Sequence, residues 1–154
     1  MKNIISFACQ GSNLLTNILN RCATLFALSV RLYLFKIFFW SGWLKVTSWA
    51  STLYLFENEY KIVGISPVTA AYLGTSTELI LPVLLILGFG ARIPAIALFI
   101  FNILTVYFYP GLSDCQIKDS YLWATLISII IFYGPGKLSL DYWLQKKICQ
   151  KYQY

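Results

Sequence analysis

The apolar residues of this chain fall into runs long enough to cross a bilayer, and its charged residues fall almost entirely between those runs. A bilayer core takes about 20 consecutive apolar residues of helix, and a chain inside it must satisfy its backbone hydrogen bonds within the helix or in a closed barrel. Of the 154 residues 58% are hydrophobic and 12% charged, against about 45–50% and about 25% in an ordinary soluble domain. A water-soluble domain of this size would lack the charge to cover its surface. The expected fold is therefore all-α, a single integral-membrane four-helix bundle.

The first span is expected over about 23–44, interrupted by Arg31 and Lys36, with Trp40, Trp43, Lys45 and Trp49 marking its far interface. Residues 46–66 form an aromatic, mildly acidic connector too polar to cross. Pro67 suits the start of a second span, about 68–89, and Arg92 followed by Pro94 turns the chain into a third, about 93–109. Pro110-Gly111 ends that helix, and Gly134-Pro135-Gly136 ends a fourth at about 120–134. Fourteen to sixteen helical residues cover only about 21–24 Å, so the fourth helix must begin in the preceding loop or sit where the bilayer thins. Ahead of the spans, Ile4, Ile5, Ala8, Leu14, Leu15, Ile18, Leu19 and Cys22 recur at helical spacing between Lys2 and Arg21. Residues 1–22 are thus expected to lie at the interface as an amphipathic helix rather than act as a signal peptide, and 146–154 form a basic tail.

The net charge of +6 has a topological meaning here. With the N-terminus in the cytoplasm, Lys2, Arg21, Arg92, Lys137, Lys146, Lys147 and Lys151 lie inside, while Lys45, Lys61 and Lys118 lie outside among Glu57, Glu59, Asp114 and Asp119. That asymmetry places both termini in the cytoplasm and gives the basic residues a lipid rather than a nucleic-acid role. An impermeant thiol reagent is then expected to reach Cys115 from outside and to spare Cys9 and Cys149.

Arg31, Lys36 and Glu78 stand out, because an ionisable group at bilayer depth costs about 2.5–3.5 kcal/mol and is normally paired or set in a polar cavity. Depth along the helices matches Glu78 with Lys36. Helical angle argues for Arg31, which shares a stripe with Phe35, Phe38, Gly42 and Lys45, whereas Lys36 points about 140° away. Gly42 on that stripe marks a close helix contact. The expected packed pair is Arg31–Glu78, with Lys36 joining the network or facing a partner. Pro82 frees the Glu78 carbonyl, and Thr75, Ser76, Thr77, Asn102 and Thr105 add polar groups nearby. Such a patch can hold a quinone head group, relay a proton, or only lock the helices.

The chain has no histidine and a single methionine, at position 1, which excludes His or Met haem ligation, a His₃ zinc site and a Ser-His-Asp triad. Its four cysteines lack metal or CxxC spacing, so no metal site and no certain cofactor is expected. Two classes of function remain. One is a non-catalytic accessory subunit with protein partners in a membrane complex; the other is a quinone- or thiol-linked membrane oxidoreductase using the Arg31/Glu78 site.

Arg31, SGWLK at 41–45, Glu78, GFGAR at 88–92 and GPGKLSLD at 134–141 together resemble the DoxX family of small four-helix bacterial membrane proteins. Gly42, Lys45, Pro82, Arg92, Gly134, Pro135, Gly136 and Asp141 are expected to have structural roles. The resemblance implies the bacterial inner membrane and a subunit of a redox assembly. TLYLFENEY at 52–60, 70–88 and 98–110 are most similar to a branch associated with biosynthesis of copper-binding, bufferin-type modified peptides, although Ser120 follows Asp119 where that branch often has an Asp-His pair.

Overall fold

A computed structural model describes the backbone of residues 2–62, 64–136 and 138–151, with side chains outside 1–15, 17, 18, 142, 145 and 148–151. Its elements are the helices α1 (Lys2–Thr47), α2 (Trp49–Asn58), α3 (Pro67–Leu87), α4 (Arg92–Phe108), α5 (Asp114–Tyr133) and α6 (Leu140–Lys151). Among the described residues, three stretches are long and apolar enough to cross a membrane: Leu19–Thr47, Pro67–Leu87 and Asp114–Tyr133. The fourth apolar helix, α4, has 17 residues and so covers about 26 Å.

Local chemistry sets the ends of these helices. Ser66 caps α3 by accepting from the Thr69 amide, with Pro67 in the first turn. Gly88 closes α3 at φ +69°, where Gly88 and Phe89 donate to Leu85 and Leu84 in a Schellman pattern. Ser113 and Gln116 form a reciprocal capping box at the start of α5. This cap resolves the short fourth span, because the helix begins in the loop at Asp114 and reaches 20 residues.

Two sequence boundaries fall inside continuous helix. α1 runs unbroken across residues 22 and 23, and α6 includes the first part of the basic tail. The Ile4-to-Ile18 face and residues 148–154 of the tail lie outside the described side chains. The connector is partly helical: α2 follows α1 after a break at Ser48, and the Thr52 hydroxyl ties the two by donating to the Lys45 carbonyl at 3.0 Å.

α1 packs on α3, α3 on α4, α4 on α5 and α5 back on α1, while α2 covers one end of α3. Leu34, Phe38, Leu85, Leu98, Ile127 and Ile130 fill the centre, and Phe38 meets Trp123 edge to face at 5.5 Å. Leu32, Trp40, Trp43, Ile80, Ile100 and Ile103 point outward. An apolar exterior around an apolar core is the surface a bilayer solvates.

Candidate functional site

The register of α1 against α3 decides which charges meet. Gly42 sits against Glu78 and Leu79, so that an added methyl would stand 3.1 Å from Glu78 Cβ and 3.0 Å from Leu79 Cγ. Arg31 lies at the opposite end of α3, beside Gly88. The two contacts are separated by roughly 16 Å of antiparallel helix, which rules out the expected Arg31–Glu78 pair. Glu78 instead pairs with Lys45, one turn beyond Gly42, and the Lys45 ammonium also donates to Ser41 Oγ at 3.0 Å. Lys36 is exposed on the outer face of α1 and takes no part, so pairing it with Glu78 by depth is corrected as well.

Arg31 is fully buried and solves its problem without an acid. Its guanidinium donates to the Ile86 carbonyl at 3.2 Å and the Leu138 carbonyl at 2.6 Å, while Nε has no partner. The adjoining turn is locked by Asp141, whose carboxylate accepts from the Gly90 and Ala91 amides at 2.7 and 3.0 Å and whose own amide donates to Gly88. Arg31, expected in an intramembrane polar site, and Asp141 instead fasten the α3–α4 turn to the chain entering α6.

The Lys45–Glu78 end is built differently. The pair lines a pocket of about 180 Å³ between α2, α3 and α4, whose other walls include Phe56, Tyr60, Leu73, Phe101, Leu104 and Phe108. Gly74 makes room for the Phe56 ring, which would stand 3.1 Å from an added methyl. Phe56, Tyr60 and Tyr109 stack in sequence at 4.5 and 5.0 Å, and the Tyr109 hydroxyl donates to the Glu59 carboxylate. The Lys61 amide donates to the Phe108 carbonyl at 2.9 Å, tying the connector to the end of α4. Burial first, and then the charge of Glu78, Tyr109 and Glu59, raises the Tyr60 phenol above its ordinary value. The Tyr109 phenol is raised chiefly by its hydrogen bond to Glu59.

A groove of about 520 Å³ on the α3–α4 face adjoins the pocket, with Leu73, Thr77, Phe101 and Leu104 lining both. Asn102 is buried but belongs elsewhere: its amide donates to the Ser120 carbonyl at 2.9 Å and joins α4 to α5. Thr105 lines the pocket although its hydroxyl bonds back to Phe101. Tyr60, Phe56 and Ser41 were not singled out from sequence. Lys45 is legible in the sequence as an interfacial lysine with a structural role but not as the partner of Glu78, although its place on the Gly42 stripe carries the signal.

Among the described residues no group of His, Cys, Asp or Glu is arranged to hold a metal ion. Comparison with curated proteins and with solved structures returns no match to either. The family model for DoxX matches residues 26–111, from the middle of α1 through the end of α4 and more than half of the chain. By that match and the membrane-type helices it covers, the chain belongs to the DoxX family of multi-pass membrane proteins.

Proposed function

We propose that this DoxX protein is an accessory subunit of a redox assembly in a bacterial inner membrane, holding the head group of a lipophilic quinone rather than transforming a substrate itself. The observation that carries this reading is a pair between the buried Glu78 and the half-buried Lys45 at the wall of an apolar pocket, beside a groove on the outer face. Small-molecule sites combine apolar walls with a few convergent polar groups in this way. The residues fit a quinone by their chemistry: the Lys45 ammonium and the Tyr60 phenol are donors for ring oxygens, Phe56, Phe101 and Phe108 offer ring-sized apolar walls, and the groove suits a tail. A bound quinone supplies reversible two-electron, two-proton carriage. The chain's own residues bind and orient the head group and keep it from water.

Both termini are assigned to the cytoplasm by the distribution of basic residues, which puts the pocket toward the outer face. Cys115 in the first turn of α5 is free and exposed, so impermeant thiol labelling of intact cells tests this orientation. A second reading of the partner system, maturation or export of a copper-binding modified peptide, has support in where the branch-like stretches fall. Segments 52–60, 70–88 and 98–110 supply most of the pocket wall.

The test is organic extraction of protein purified from native membranes. Wild type is expected to carry roughly one quinone per chain, and the double variant Lys45→Met/Glu78→Leu to carry none. Quinone-free wild type overturns the quinone reading. Mass spectrometry of co-purifying proteins identifies the assembly, and recovery of the chain without membrane redox or peptide-modifying partners overturns the accessory role.

A further inference from the structure

The Arg31 end holds a second arginine and a cavity that neither the lock nor the pocket explains. This cavity, of about 950 Å³, lies between α1, the start of α4 and the turn following α5. Arg92 and Asp141 both line it, together with Gly134 and Gly136. Ile93 and Tyr133, also in its lining, are 75% and 86% exposed.

The two charged groups have capacity to spare. Each Asp141 oxygen accepts one backbone amide, whereas an ionised carboxylate has about four acceptor sites. Arg92 is exposed, and its guanidinium lies over Gly134, where an added methyl would stand 3.6 Å from Nη2. Among the described residues the ion pair is Lys45–Glu78, and no acceptor takes a hydrogen bond from Arg92. Arg31, by contrast, commits its terminal nitrogens to the Ile86 and Leu138 carbonyls.

We propose that this cavity binds the head group of a zwitterionic phospholipid with a primary ammonium, its phosphate on Arg92 and its ammonium on Asp141. A guanidinium recognises phosphate with paired N–H donors, and a carboxylate with open lone pairs accepts from an ammonium. One cation and one anion in the same cavity match a head group carrying both charges better than one with a net negative charge. The ligand is a lipid because the cavity lies where the apolar helices end and is edged by Ile93 and Tyr133. An isoleucine and a tyrosine exposed at that level suit acyl chains and the interface rather than bulk water.

Native mass spectrometry of the delipidated protein in detergent tests this with phosphatidylethanolamine, phosphatidylcholine, phosphatidylglycerol and soluble phosphoethanolamine as probes. Phosphatidylethanolamine is expected to be retained about tenfold above each of the others, the ratio that one further charge-assisted hydrogen bond supplies. Arg92→Gln is expected to erase that preference with helical content unchanged, and Arg92→Lys, which keeps the charge without the planar fork, to fall between. Equal or stronger retention of phosphatidylglycerol or phosphatidylcholine overturns the proposal. So does equal binding of soluble phosphoethanolamine, which would mark a site for a soluble ligand, or undiminished phosphatidylethanolamine retention by Arg92→Gln.

Discussion

Arg31 and Lys45 occupy one stripe of one helix, yet the protein uses these two inward-facing cations in opposite ways. Arg31 commits donors to fixed backbone carbonyls in a closed corner, beside a carboxylate that itself holds two amides. Lys45 meets a flexible acid at the wall of a cavity. Backbone acceptors cannot rearrange without moving a helix end, so the first arrangement fastens the fold. A side-chain pair beside open volume can exchange a partner for a ligand group, so the second can serve binding.

The contrast places the largest expected loss of stability in the closed corner. A methyl on Gly88 would stand 2.6 Å from Ser139 Cβ and 2.7 Å from Arg31 Nη1, at φ +69°. Gly88→Ala is expected to cost about 3–5 kcal/mol, from the left-handed backbone and the overpacking together, read as a large fall in melting temperature in detergent. A melting temperature within a degree or two of wild type would mean that this corner is loose.

The pocket end is expected to tolerate the loss of both charges better than the loss of one. Glu78→Gln leaves Lys45 without its acid and is expected to destabilise by about 1–3 kcal/mol, less than a fully buried pair because Lys45 keeps some access to solvent. Lys45→Met/Glu78→Leu is expected to recover most of that loss while abolishing binding. A double variant no more stable than Glu78→Gln would give the pair a structural role like that of Arg31.

A gentler difference appears in alkali. The folded Tyr60 phenol is raised above its ordinary value of 10.0, so the folded state holds a proton that the unfolded chain releases. Its contribution to stability is fully present below about pH 10 and is lost as pH rises through the folded value. Thermal melts are expected to be flat below that pH and then to fall more steeply for wild type than for Tyr60→Phe. Parallel alkaline curves would detach Tyr60 from the buried pocket. Smallest of all is Lys36→Gln, expected to shift stability by less than about 0.5 kcal/mol because an exposed lysine can extend its ammonium toward the interface. A loss comparable to that of Glu78→Gln would put Lys36 back in the polar network.

Much of the scaffold was legible because hydropathy and helix punctuation are local. Pro67, Arg92, Pro110 and the Gly-Pro-Gly turn stand at or within a few residues of helix ends, and Asp114 rather than Ser120 begins α5 because the Ser113–Gln116 cap extends it into the loop. Pairing was harder, because it depends on how far α1 slides past α3. Depth measured from an assumed start at Ala23 put Glu78 between Arg31 and Lys36. Gly42 was recognised as a contact point, but only the packed helices show that Glu78 lies opposite it and hence that Lys45 is in reach. Tyr60 was illegible for a different reason. It is contributed by a polar connector, whose fold over α3 depends on α2 and on the Lys61–Phe108 hydrogen bond.

Whether the Lys45–Glu78 pocket rather than the opposite end of the molecule binds the quinone is tested most directly by the change in melting temperature that a short-chain quinone causes in wild type, Arg92→Gln and Lys45→Met/Glu78→Leu. A ligand bound by the folded state alone raises the melting temperature with concentration. The expected result is a saturable rise in wild type and Arg92→Gln and none in the double variant. An equal rise in all three, or none in wild type, would contradict the assignment of the Lys45–Glu78 pocket as the binding end of the molecule.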